Sequence, residues 1–177
     1  MAVVQTVGGP VGSEQLGVTL VHEHLCFRAP ERWQRKAMDY QVELARKAVD
    51  IGVETLVDAS PTPDVARILE LRERVPELNL VLSTGAYLEN APWSAAVRDL
   101  TEDQMYERMV RNLTVGYEGF EDAGVRAGII KVASNRPELT EWETKNFRAA
   151  ASGVLSEASV STTSPSSSGL IAPTACR

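Results

Sequence analysis

Alternation constrains this chain more than any other feature. Short apolar runs with strand character recur at Val18–Val21, Thr55–Val57, Leu80–Leu82 and Ile129–Val132. Amphipathic segments separate them. The first runs from Asp39 to Ile51, with Val42, Ala45 and Val49 on one face and Gly52 as its stop. The second begins at Thr62-Pro63, read as cap and first-turn proline, carries Val65, Ile68 and Leu69, and ends before Pro76. The third and fourth open with Thr101-Glu102-Asp103-Gln104 and Thr140-Glu141-Trp142-Glu143. Both fit the capping box, in which the cap and third-residue side chains satisfy each other's backbone donors. Parallel strands need long crossovers, so a β-α-β-α-β-α-β-α pattern implies a mainly parallel sheet covered by helices. A four-unit open sheet and the first half of an eightfold barrel both fit. No Gly-rich phosphate loop follows the first strand, where a nucleotide-binding sheet needs one, and this shifts weight to the barrel. The expected class is α/β, of (β/α)8 TIM-barrel type, with a partial barrel of about four βα units.

The 177 residues suffice for one sizeable domain and are short for two. Composition changes sharply after Ala151, where SGVLSEASVSTTSPSSSGLIAPTACR is dense in Ser, Thr, Ala and Pro and has only Glu157 and Arg177 as charged side chains. Without helical periodicity or a clear strand it reads as disordered, which divides the chain into a barrel portion at 1–151 and a tail at 152–177. A flexible linker is one reading of the tail. The favoured one is an interrupted αβ chain that continues out of frame, because the units stop where a fifth strand should begin.

A formal charge of −6 argues against a nucleic-acid partner. Hydrophobic and charged contents of 44% and 24% argue against global disorder. Two cysteines, Cys26 and Cys176, make no disulfide framework, as suits a reducing compartment. The opening MAVVQTVGGP lacks a basic region followed by a long apolar stretch, and no apolar run approaches the roughly 18 residues that span a bilayer. A cytoplasmic protein with no membrane partner is expected.

Both histidines of the chain fall in TLVHEHL, at His22 and His24. Residues i and i+2 of a strand share a face, so the two imidazoles project together and Glu23 points away. Two neutral imidazoles can share one divalent ion, and a parallel barrel gathers functional groups at the C-terminal ends of its strands. The alternative is a pair of hydrogen-bonded histidines in a half-buried turn. Lys131 interrupts the apolar run Ala127–Ala133. Such a lysine must reach water, find a partner or lose its charge. It either snorkels to solvent at an edge or serves as a neutral amine, forming a Schiff base or capturing carbon dioxide.

TVGGPVGSEQLGVTLVHEHL resembles the opening signature of the phosphotriesterase family in the amidohydrolase superfamily. AGIIKVAS followed by LTEWETKNFRAAA is similar to that family's fourth-strand lysine segment and the helix after it, and GVETLVDAS and LVLSTGAYL fit its second and third strands. The likeness covers about residues 3–151 and corresponds to the N-terminal half of the family's barrel. It implies a (β/α)8 barrel holding two divalent metal ions, zinc foremost. His22 and His24 correspond to ligands of the more buried ion, and Lys131 to the carbamylated lysine that bridges both. It further implies a metal-bridged hydroxide that attacks a phosphoester or a carboxylic ester such as a lactone. The implied partner is a small-molecule ester or lactone, and a homodimer is admitted. Tyr87, after Thr84-Gly85, falls where third-strand loop residues reach substrate in related enzymes, with packing an equal alternative.

The sequence departs from its relatives in one serious respect. The family takes two further histidines from the fifth and sixth strands and an aspartate from the eighth, and no third histidine exists here. The expectation is a fragment with weak metal binding and little or no turnover by itself. Trp33, Trp93 and Trp142 are assigned to packing or loop anchoring. Cys26 is assigned as a small buried hydrophobe, and the acidic stretch Glu118–Asp122 as a solvated helix end. Asp58 is assigned as an acceptor behind a ligand imidazole. Two rivals stand beside the hydrolase reading. One is a non-catalytic fragment or interaction module that associates through its open face. The other is a different metal-dependent barrel, such as a nuclease or deaminase, which the position of Lys131 disfavours.

Overall fold

The computed structural model describes residues 2–25, 34–135, 137–155 and 160–164. Strands β1 (Val3–Thr6) and β2 (Gly9–Gly12) pair antiparallel as a hairpin. Then follow β3 (Thr19–Glu23), α1 (Gln34–Asp50), β4 (Thr55–Asp58), α2 (Val65–Arg74), β5 (Asn79–Gly85), α3 (Glu102–Thr114), β6 (Ile129–Ala133), α4 (Glu141–Leu155) and β7 (Val160–Ser164). Strands β3 to β7 form one parallel sheet in the order β3-β4-β5-β6-β7. Sequential order without reversal is that of a (β/α)8 barrel wall, whereas a doubly wound sheet reverses at its switch point.

The four expected strands are all present, each one to four residues longer than its apolar run. Two helix starts differ from expectation. Helix α1 begins at Gln34, ahead of Asp39. Helix α2 is capped by Asp64, whose side chain accepts from the Arg67 amide, so its first turn begins after Pro63 and not at Thr62. A residue before proline is held extended, which delays the helix. Both capping boxes form. Thr101 and Gln104 satisfy each other's amides at 3.2 and 2.9 Å, and Thr140 and Glu143 do so at 3.1 and 3.0 Å.

The tail requires a correction. Helix α4 runs to Leu155, past the division placed at Ala151, and β7 lies inside the segment read as strandless. Strand β7 pairs with β6 in register from Ile129↔Val160 to Ala133↔Ser164. Val160, Thr162 and Thr163 are β-branched and suit extended backbone. The β6 edge offers them a full ladder of hydrogen-bonding groups, and that tertiary demand is invisible to composition. Residues 165–177 of the tail lie outside the described residues.

Helix faces at three- and four-residue spacing supply the core: Met38, Val42 and Ala45 from α1, Val65, Ile68 and Leu71 from α2, and Met105, Met109 and Leu113 from α3. Full burial of each large side chain is worth about 1.5–3 kcal/mol. All five residues of β6 are buried, whereas β3, at the edge, leaves Leu20 and Val21 exposed. The hairpin closes the N-terminal end of the sheet: Val7 donates to the Leu80 carbonyl at 2.8 Å, and Arg126 donates to Gln5 Oε1 at 2.7 Å. His22 and His24 lie at the other, C-terminal end of β3, and Lys131 lies midway along β6. Among the described residues no helix is long and apolar enough to cross a membrane.

Candidate metal centre

Strand β3 does not pair evenly with β4. Leu20 faces Leu56 and Glu23 faces Asp58, so β3 carries one extra residue in a bulge that spans Val21 and His22. Bulges re-aim side chains and recur beside active sites. His22 is half-buried, His24 is exposed just past the strand, and their rings meet edge to face with centroids 5.2 Å apart at 76°. Buried Leu25 anchors the segment from below, and the Glu23 carbonyl accepts from the Ala59 amide at 2.8 Å. The two rings thus lie together, with His24 just beyond the end of β3.

Lys131 lies midway along β6, between Gly85 of β5 and Thr162 of β7, and is fully buried. Solvent snorkelling is thereby excluded. Its backbone carbonyl accepts from the Ala86 amide at 3.1 Å. Burial holds its amine below the usual lysine range. Its charge reaches both imidazoles: desolvation first, then Lys131, pushes each of them below the ordinary histidine value, His22 also feeling His24. All three groups are thus biased toward their neutral, electron-donating forms.

Behind His24 stands a short relay. Ser60 Oγ and His24 Nδ1 are hydrogen-bonded at 3.0 Å, in a direction set by the imidazole tautomer. Fully buried Asp58 accepts through Oδ1 from the Ser60 amide at 2.9 Å and from the Leu25 amide at 3.5 Å, while its Oδ2 has no hydrogen-bond partner among the described residues. Burial lifts its carboxyl to about 6, against the lowering effect of the Ser60 and Leu25 bonds. Asp58 was expected to accept from an imidazole directly, but Ser60 stands between them. Sequence reasoning missed Ser60. Its signal is Asp-Ala-Ser at a strand end, where an aspartate bonds the amide two residues on.

The remaining assignments divide. Tyr87 is half-buried and packs against exposed Trp93, with ring centroids 5.9 Å apart. Trp142 is buried and donates to the Arg98 carbonyl at 2.9 Å, as loop anchoring requires. Cys26 and Trp33 lie outside the described residues. Glu118–Asp122 follows α3 in a separate turn, where Glu121 pairs with Arg111, so it is a loop and not a helix end.

His22, His24 and Lys131 suit a divalent ion in donor chemistry: two near-neutral imidazoles and a desolvated amine. Among the described residues no group of three or more His, Cys, Asp or Glu could hold a metal, so the set is partial without the lysine.

Comparison with known proteins bears on this arrangement. The family model described as "Phosphotriesterase family" matches residues 2–169. A phosphotriesterase homology protein of Mycobacterium tuberculosis is 31% identical over 85% of this chain and 51% of its own length. A phospho-furanose lactonase of Mycoplasmopsis agalactiae is 31% identical over 84% of this chain and 47% of its own. The solved structure of a triple mutant in organophosphorus hydrolase from Deinococcus radiodurans superposes with a TM-score of 0.77 at 32% identity, covering 93% of this chain and 54% of that one. The chain spans about half the length of the curated relatives it matches.

Proposed function

The chain belongs to the phosphotriesterase family, and from that premise we propose that it forms the first half of a metal-dependent ester hydrolase site built on His22, His24 and Lys131. The observation that carries this reading is the burial of Lys131 within electrostatic reach of two imidazoles whose rings touch. His22 and His24 would hold one divalent ion, zinc foremost, through neutral nitrogens. Lys131 would bridge to a second ion after its neutral amine adds to carbon dioxide, forming a carbamate and releasing one proton. A desolvated amine favours that step, because more of it is unprotonated at neutral pH. When bound, such ions polarise the ester oxygen and make a nucleophilic water available near neutral pH. The Ser60 hydroxyl fixes the His24 ring, and Asp58 fixes Ser60.

The family resemblance supports a phosphoester or a lactone as substrate, since relatives carry the names of both activities. The partial ligand set supports a second reading, in which this chain by itself binds metal without turning over. Calorimetric zinc titration in bicarbonate, followed by assays with an aryl dialkyl phosphate and a γ-lactone, tests both. Zinc binding that weakens in His22→Asn by more than the roughly ten-fold that losing an orienting partner costs supports the site. Hydrolysis that needs Lys131 supports turnover. Zinc binding unchanged by His22→Asn overturns the site.

A further inference from the structure

We propose that the cleft between α2 and α3 is a binding site for a small amphipathic oxyanion, a carboxylate or phosphate carrying an apolar body, held by Arg108. The cleft has a volume of about 970 Å3, within the usual range for small-molecule sites. Its walls include Val65 at the start of α2, Leu100 before α3, and Phe120 beyond it. Three arginines and three carboxylates, Asp64, Glu107 and Glu118, line it, and the arginines are not equivalent. Arg67 pairs with Asp64 at 3.8 Å, and Arg111 pairs with Glu121. Arg108 spends one N–H on the Gly85 carbonyl at 3.1 Å, and among the described residues no carboxylate stands within ion-pair distance of it. Arg108 itself is part of the cleft wall.

A guanidinium presents five donors in a planar fork that matches carboxylate and phosphate oxygens. Burying it without such a partner is costly, and burial does hold Arg108 below the usual arginine range, with Tyr117 and Glu118 opposing more weakly. An incoming oxyanion would supply the missing acceptors, and the apolar walls would cover its body. Gln104, at the first turn of α3, also lines the cleft. The cleft lies in the helical layer, where Asn112 donates to Thr84 Oγ1 at 2.8 Å, and shares no residue with the histidine–lysine site. The proposal therefore stands apart from the metal reading.

Backbone amide NMR of the full chain, titrated with hexanoate, hexyl phosphate, hexanol and inorganic phosphate, tests it. The expected result is saturable shifts at Leu100, Gln104 and Arg108 with hexanoate or hexyl phosphate, at least about ten-fold tighter than with hexanol or inorganic phosphate. The tighter of the two oxyanions identifies the head group. Arg108→Gln should abolish the advantage over hexanol while thermal unfolding stays cooperative, and Arg108→Lys should retain part of it. Equal affinity for hexanoate, hexyl phosphate and hexanol in the wild-type chain overturns the proposal whatever the variants do. So does an advantage that survives Arg108→Gln, or the absence of saturable shifts.

Discussion

The backbone of Gly85 lies directly against the carbonyl of Lys131, so close that a Cβ at residue 85 would overlap that oxygen. Gly85 also sits at φ +112°, a conformation other residues adopt only under strain. The glycine thus lets β5 press on the strand that carries the buried amine. Gly85→Ala combines strain and collision and should cost more than about 3 kcal/mol. Gly119→Ala, at φ +80° with nothing near its Cβ, should cost only the strain, about 1 kcal/mol. Urea unfolding of the two variants checks the difference; equal costs would show that the contact with Lys131 is relaxed.

Asp58 gives the pH dependence its sign. Its carboxyl rises from 3.8 to about 6 on folding, so between those values the folded chain binds more protons than the unfolded one. Its contribution to stability is accordingly present at pH 4 and is lost as pH climbs through 6. Asp58→Asn removes the titration. The stability of the variant relative to wild type should rise from pH 4 to pH 7 by on the order of 2–3 kcal/mol. Unfolding curves at both pH values measure this, and a flat or falling difference would contradict the burial of the Asp58 carboxyl.

Helix α3 depends on its first turn. Thr101→Ala removes the acceptor for the Gln104 amide and should cost about 1 kcal/mol, and Thr140→Ala should cost α4 a similar amount through the Glu143 amide. Chemical denaturation reads both, with Thr114→Ala at the far end of α3 as a control that should cost less.

Ser60→Ala separates positioning from ligation. It removes the hydroxyl at His24 Nδ1 and leaves both imidazoles and Lys131 in place. Zinc affinity should fall about ten-fold, as when an orienting partner is lost, and by less than in His24→Ala. Calorimetry on the three proteins decides it.

What the sequence revealed and what it hid follow from locality. The four βα units were legible because helix and strand periods, capping boxes and apolar runs are local patterns. Three features were not. The end of β3 is bulged by one residue against β4, a property of two strands and not of one. Ser60 reaches His24 across 36 positions, and only the fold brings them together. Strand β7 draws its order from the edge of β6, so its Ser- and Thr-rich composition concealed it. Lys131 stood out as a charge in an apolar run, but its complete burial, which separates an edge residue from a functional amine, needed coordinates.

The proposed function requires that His22, His24 and a carbamylated Lys131 share one metal centre. Carbon-13 NMR of the chain equilibrated with labelled bicarbonate and zinc tests it most directly. The account expects a lysine carbamate resonance that grows with zinc, vanishes in Lys131→Met and weakens in His22→Asn. A chain that shows no carbamate with zinc and bicarbonate present, or one whose carbamate persists without Lys131, would contradict it.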